Sequence, residues 1–166
     1  MSLLSQVVET AHAIERVDGP ICSATPPRER AADYDRIAAG YDMVVGTTLY
    51  NRLVWGNWAR HYSEAAQRFL AEAPAGPLLD CGCGSLVFTA NAYRQSAALD
   101  RLVLQDRSLG MLRRGAKRAA NGTFLQADAA AMPFKQEAFS GVMSWGMLHV
   151  FGTGSPFLGQ LKRVSA

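Results

Sequence analysis

The spacing of hydrophobic and polar positions changes character once along this chain, near residue 77. Before that point apolar residues recur at helical intervals. Leu3, Leu4, Val7, Val8, Ala11, Ile14 and Val17 share a face and predict an amphipathic helix over residues 3–17, ended by Gly19-Pro20. Residues 19–28 carry three prolines, a glycine and small polar residues, and read as a linker. A second helix is predicted over 29–39, closing at Gly40. A third is predicted over 49–73, with Leu53, Val54, Trp58, Tyr62, Ala65, Phe69 and Leu70 on one face. Pro74-Ala75-Gly76-Pro77 breaks the pattern. Beyond it, short apolar runs alternate with helical stretches. Strands are predicted at Leu78-Leu79, 101–105, 123–126 and 139–145. Helices are predicted at 86–96, at 108–120 and from near Pro156, since proline suits a first helical turn. Such alternation implies βαβ crossovers and a parallel sheet. The expected division is an N-terminal helix and linker (1–28), a helical lid region (29–76) and an α/β core (77–166).

Composition narrows the class. The 166 residues suffice for one domain with a real core, and 49% hydrophobic with 19% charged residues describes a globular chain. A net charge of +3 is too mild to demand nucleic acid or an anionic membrane. Three cysteines, two of them one residue apart, match neither a disulfide framework nor a zinc set, so no metal is expected. Glu9, His12, Glu15 and Arg16 interrupt the first apolar stretch, which therefore does not read as a signal peptide. No apolar run reaches membrane-spanning length, and a cytoplasmic protein is the expectation.

Candidate chemistry concentrates where strands end. Leu78-Leu79-Asp80 runs into Cys81-Gly82-Cys83-Gly84-Ser85, a strand followed by a loop with two glycines and then a predicted helix start. Glycines allow close approach of a ligand to the backbone, and a helix N-terminus offers N–H groups. An ionised Asp80 only accepts hydrogen bonds, so it suits hydroxyls or an ammonium better than a pyrophosphate. Asp106 and Asp128 close the next two strands, and Asp106 follows Leu86 by about 20 residues, the interval that sets a carboxylate against ribose hydroxyls. Ligands of open parallel sheets bind at these carboxyl ends.

These stretches resemble a known family. Leu78-Leu79-Asp80-Cys81-Gly82-Cys83-Gly84 looks like the first motif of class I S-adenosylmethionine-dependent methyltransferases. Leu104-Gln105-Asp106-Arg107-Ser108-Leu109-Gly110-Met111-Leu112 is similar to the second, and Gln126-Ala127-Asp128-Ala129-Ala130-Ala131-Met132-Pro133-Phe134 to the third. Tyr34-Asp35-Arg36-Ile37-Ala38 with Tyr41-Asp42 resembles the helix preceding them in the ubiquinone/menaquinone-biosynthesis branch. The resemblance implies a Rossmann-like fold and transfer of a methyl group from S-adenosyl-L-methionine to a small-molecule acceptor, leaving S-adenosyl-L-homocysteine. It implies that Asp80 and the Gly82–Gly84 backbone hold the methionine part and that Asp106 takes the ribose hydroxyls. Asp128 and the Ala129 N–H would face the adenine, and Tyr41 would cover the methionyl end. Cys81, Ser85, Arg107, Met111 and Trp145 complete the implied cofactor set.

The chain departs from the family in three places. Leu86 stands where a third glycine is usual, and would narrow the loop or shift the ligand. Ser140-Gly141 follows Phe139 where an acid is usual, which predicts a cost in stability. The family continues past Leu161-Lys162-Arg163-Val164 into further strands, so the C-terminal strands of the sheet are expected to be missing. The fourth strand would then be an open edge and the chain would dimerise through it. A non-catalytic cofactor-binding or interaction domain is the alternative to an enzyme. A nicotinamide-dependent dehydrogenase would want a glycine at 86 and no acid before the loop. Among single residues, His149 is a candidate base near the acceptor, with a structural role favoured. Cys81 and Cys83 read as small packing residues rather than reactive thiols. Arg107, Arg113, Arg114, Lys117 and Arg118 read as a solvated helix face rather than a nucleic-acid surface. Trp55, Trp58 and Tyr62 either pack the core or cap the acceptor cleft, the core being favoured.

Overall fold

The computed structural model describes residues 2–30, 40, 43–54, 56–152 and 156–166. Strands β3 (Leu78–Cys81), β4 (Leu102–Asp106) and β5 (Thr123–Gln126) form the parallel centre of the sheet. Leu79 lies opposite Val103, and Leu104 opposite Phe124. Both faces of these strands are covered, so each strand is largely apolar, as parallel strands buried on both sides must be. Side-chain alternation divides the core in two. Leu78, Leu102, Leu104 and Phe124 pack with Leu70, Tyr93 and Leu112 on one face. Leu79, Cys81, Val103 and Leu125 pack with Phe134, Phe139, Phe157 and Val164 on the other.

With β1 (Glu15–Asp18), β2 (Ile21–Ser23) and β6 (Gly141–Met143), the full strand order is β1-β2-β5-β4-β3-β6, and its outer members correct the sequence expectation. The N-terminal helix spans only Leu3–Val7 (α1), not residues 3–17. At Val8 the chain turns extended and bridges Phe134. Glu9 N–H donates to Pro133 O at 2.9 Å and Lys135 N–H to Val7 O at 2.9 Å. Tertiary partners thus take the backbone groups that a longer helix would have satisfied internally. Glu15–Asp18 is a strand (β1). It turns tightly through Gly19, at φ +49, and Pro20 into Ile21–Ser23 (β2), inside the stretch expected to be a linker. β2 pairs parallel with β5 and antiparallel with β1, which attaches residues 15–23 to the sheet of the core.

The helical region before the core also differs. One long helix over 49–73 is replaced by α2 (Thr48–Val54) and α3 (Ala59–Glu72), with Gly56 at φ +67 in the break. The helix expected over 29–39 lies outside the described residues. After β3, the helix expected over 86–96 is confined to Ala90–Arg94 (α4), because Leu86 takes a left-handed φ of +59 and residues 83–89 form turns. The helix after β4 spans Leu109–Arg118 (α5), its first turn capped by Ser108, whose Oγ accepts from Met111 N–H at 3.1 Å.

The fourth core strand shortens to Gly141–Met143 (β6), paired with β3. Phe139 N–H is drawn to Val164 O at 3.0 Å and Ser140 N–H to Pro77 O at 2.9 Å. The Ser140 hydroxyl also donates to Pro77 O at 3.0 Å, so a serine braces the strand where an acid was expected. β6 lies at the end of the strand order, and α6 (Leu148–Phe151) and α7 (Pro156–Val164) follow it. Among the described residues, no helix is long and apolar enough to cross a membrane.

Candidate functional site

The carboxyl ends of β3, β4, β5 and β6 open into one cavity of about 520 Å³, within the range of about 300–1,000 Å³ usual for small-molecule sites. Its floor is the loop after β3. Gly82 and Gly84 sit at φ +74 and +59, conformations that favour glycine, and Gly82 lies against Met147, whose Cγ would be 2.6 Å from an added Cβ. This loop is not a helix N-terminus as expected from sequence, since α4 begins only at Ala90. Its N–H groups are tied to β4 instead. Gly82 and Cys83 N–H both donate to Gln105 O, at 2.8 and 2.9 Å, and Gly84 N–H donates to Asp106 Oδ2 at 2.8 Å. Asp106 Oδ1 accepts from Ser108 N–H at 2.8 Å, so one carboxylate fastens the loop and the start of α5 together.

Asp80 is a strongly perturbed carboxylate in the cavity. It is buried, and its Oδ2 accepts a 2.6 Å hydrogen bond from Tyr93 Oη while its Oδ1 has no partner among the described residues. Burial, partly opposed by the Tyr93 bond and reinforced by the Asp106 charge, pushes its carboxyl up to about 7. Burial also raises the Tyr93 hydroxyl, with the Asp80 charge adding to it. Asp128 is more open. Its Oδ1 accepts from Ala130 N–H at 2.8 Å, and Arg107 lies 3.6 Å from its Oδ2.

Of the residues singled out from sequence, Asp80, Gly82, Gly84, Ser85, Asp106, Arg107, Met111, Asp128, Ala129 and Trp145 all line this cavity. Cys81 does not: it is buried on the opposite face of β3, with Sγ donating to Gln105 Oε1 at 3.0 Å. Side chains alternate along a strand, so the residue after Asp80 must face away from it. Burial, then the charges of Asp80 and Asp106, push the Cys81 and Cys83 thiols up, opposite to the shift a reactive thiol needs. Tyr41 and the side chain of His149 lie outside the described residues. The basic residues after β4 are engaged in the fold. Arg118 Nη1 donates to Ser85 O at 2.7 Å and Arg113 pairs with Asp18 at 2.7 Å.

Sequence reading left one wall of the cavity unassembled. Tyr62 of α3 stacks on Phe88 at 5.1 Å between ring centroids and meets Trp145 edge-on at 6.0 Å. Trp145 Nε1 is buried without a hydrogen-bond partner among the described residues. Asn51 and Val45 reach the cavity from the segment before the core, and Met147, Val150 and Phe151 from the segment after β6. Phe88 gave no signal of its own, being one apolar residue in a stretch read as helix. Tyr62 reads from sequence as a core residue in preference to a cap of the acceptor cleft, and the structure places it on the cavity lining.

A family model described as a methyltransferase domain matches residues 78–166, which include every strand that meets the cavity floor. The demethylmenaquinone methyltransferase of Streptomyces griseus subsp. griseus is 30% identical over 128 residues, taking in 76% of this chain and 52% of that protein. The chain thus spans about half the length of the curated relatives it matches. Among solved structures, a Methanococcus maripaludis protein assigned as an S-adenosyl-L-methionine-dependent methyltransferase superposes with a TM-score of 0.60 at 17% identity, covering 79% of this chain and 58% of that one. The [4+2]-cyclase SpnF gives 0.59 at 18% identity, covering 80% and 53%. Likenesses at such identity establish the Rossmann-like architecture, and a cyclase among them shows that architecture alone does not settle chemistry. The family rests instead on the sequence match from β3 onward: this chain belongs to the methyltransferase domain family.

Proposed function

We propose that the chain binds S-adenosyl-L-methionine in this cavity and serves transfer of its methyl group to a small-molecule acceptor, with an aromatic, quinone-like compound as the favoured class. The observation that carries the reading is Asp80 Oδ1, a buried carboxylate oxygen with no partner among the described residues. Leaving such an acceptor unpaired costs about 1–3 kcal/mol, more when charged, and a ligand ammonium placed there would remove that cost. The other residues fit the same ligand. Gly82 and Gly84 keep the floor free of side chains, and a carboxylate such as Asp106 accepts more than one bond per oxygen, which suits vicinal hydroxyls. Asp128 and Ala129 lie at the end of β5, where an adenine amino group and ring nitrogen would find an acceptor and an N–H.

When bound, the cofactor supplies an electrophilic methyl group on a sulfonium. The chain's own contribution is positioning and exclusion of water, which suffices for in-line transfer to a good nucleophile. Tyr62, Phe88 and Trp145 provide a flat apolar wall, and the Trp145 N–H provides a donor for an acceptor oxygen. The relatives named as demethylmenaquinone methyltransferases support the same acceptor class. Calorimetric titration with S-adenosyl-L-homocysteine tests the reading. The wild type should bind it, and Asp106→Ala should lose about ten- to a hundredfold in affinity, the worth of one or two charge-assisted hydrogen bonds. Absence of binding to folded wild type would overturn the proposal. Binding without methylation of a short-chain demethylmenaquinol would leave the cofactor assignment standing and remove the acceptor class.

A further inference from the structure

Large apolar residues lie in solvent in the segment before the core. Leu49, Leu53 and Met43 are 69%, 74% and 78% exposed. On α2, Leu49, Arg52 and Leu53 stand at i, i+3 and i+4 and so share one face, while Asn51 on the opposite face is buried and lines the cavity. After β6, Leu148 and Val150 of α6 are 54% and 49% exposed, and Val150 also lines the cavity. The apolar surface therefore belongs to the two elements that border the opening. The charged side chains placed on it among the described residues are arginines. Residues 43–63 contain no acid, and Trp58, 42% exposed, has the Arg52 and Arg60 guanidinium groups at 5.6 and 5.9 Å from its ring. Arginines stacked on a tryptophan beside exposed leucines match what the headgroup level of an anionic bilayer binds: an amphipathic ring, apolar side chains to enter the acyl boundary and guanidinium groups for lipid phosphates.

We propose that this face docks the protein on an anionic lipid surface, with the cavity mouth turned toward the bilayer. An acceptor dissolved in the lipid would then enter without crossing water. That purpose rests on the proposed methyl transfer to an apolar acceptor, whereas the docking itself is read without cofactor or acceptor, so the two can fail separately.

The test is cosedimentation with phosphatidylcholine vesicles and with vesicles of phosphatidylcholine and phosphatidylglycerol. Wild type should pellet with the anionic vesicles, and added salt should weaken the binding. Arg52→Gln with Arg60→Gln should reduce partitioning onto anionic vesicles roughly thirtyfold, at about fivefold per basic side chain. Leu49→Ser with Leu53→Ser should reduce it by about tenfold for each leucine withdrawn from the interface. These side chains are exposed, and unchanged thermal unfolding of the variants would show that the fold is intact. Failure of the wild type to pellet with either vesicle, or equal pelleting by all variants, would overturn the proposal. So would a wild-type dimer that Leu49→Ser with Leu53→Ser converts to monomer without any vesicle binding, since the face would then belong to a second copy.

Discussion

Replacing Asp80 by asparagine should separate stability from ligand binding, because the buried carboxylate is a burden on the ligand-free fold. Its pKa rises from 3.8 to about 7 on folding. A raised carboxyl pKa means that the folded state holds the proton more tightly than the unfolded chain does. Below pH 4 both states are protonated and the group has no net effect. Between about pH 4 and 7 the unfolded chain ionises first, so stability falls as pH rises, and above 7 the loss levels off. A shift of this size corresponds to a total on the order of 4 kcal/mol, of which about 3 kcal/mol falls between pH 5 and 8. An asparagine side chain cannot ionise, so the variant's stability curve should lack that decline. In urea denaturation across pH 5–8, the difference between Asp80→Asn and wild type should move in the variant's favour by about 3 kcal/mol. By melting temperature this is roughly 6–12 °C for a chain of this size. The same variant should lose S-adenosyl-L-homocysteine binding, since an amide offers an ammonium no charge. Parallel stability curves for the two proteins would refute the reasoning, and would mean that the Tyr93 bond already supports an ionised Asp80.

Two further predictions concern the loop. Gly82→Ala should destabilise the fold by about 1–3 kcal/mol and weaken cofactor binding, because φ +74 is strained for alanine and its Cβ would meet Met147. Gly84→Ala, with open space around the added carbon, should cost only the strain of its φ of +59, and equal losses for the two variants by chemical denaturation would show that Met147 does not matter. Leu86→Gly should relieve about 1 kcal/mol of left-handed strain and lose about 3 kcal/mol of buried side chain, a net fall of about 2 kcal/mol. Leu86→Ala keeps the strain and loses most of the packing. It should therefore be no more stable than Leu86→Gly, and the reverse order in denaturant melts would contradict the observed φ.

Much of this site was legible in the sequence because its residues are set by local chain geometry. Asp80, Asp106 and Asp128 close or follow three strands whose apolar runs are unmistakable, and a parallel sheet brings strand ends together whatever the details of the helices between them. Leu86 was legible only as a departure. The structure shows that the leucine keeps the backbone conformation a glycine would adopt there and buries its side chain beside Gly115, rather than closing the loop. What sequence could not supply was partner choice over long separation. Val8 with Phe134, Ile21 with Phe124 and Tyr62 with Trp145 are contacts whose members lie far apart in the chain.

The N-terminal segment shows how that ambiguity misleads. Leu3 to Val17 satisfies a helical period, but the same residues also satisfy the needs of a sheet edge. Leu4, Val7 and Val8 are buried against the core face that holds Phe134, and Ile14 and Val17 pack onto opposite faces of the sheet. Periodicity fixes which residues are apolar, whereas the unpaired outer edge of β5 decides their conformation, since its N–H and C=O groups must find partners. β2 supplies them, and Ser23 extends the pairing through its hydroxyl to Gln126 Oε1 at 3.0 Å. Gln126 in turn donates through Nε2 to Arg107 O at 3.0 Å, in the loop directly after Asp106. The added hairpin is thus tied by two hydrogen bonds to the cavity rim. A segment that sequence separated from the core as a linker is, in the fold, one of the supports of the loop that follows the proposed ribose carboxylate.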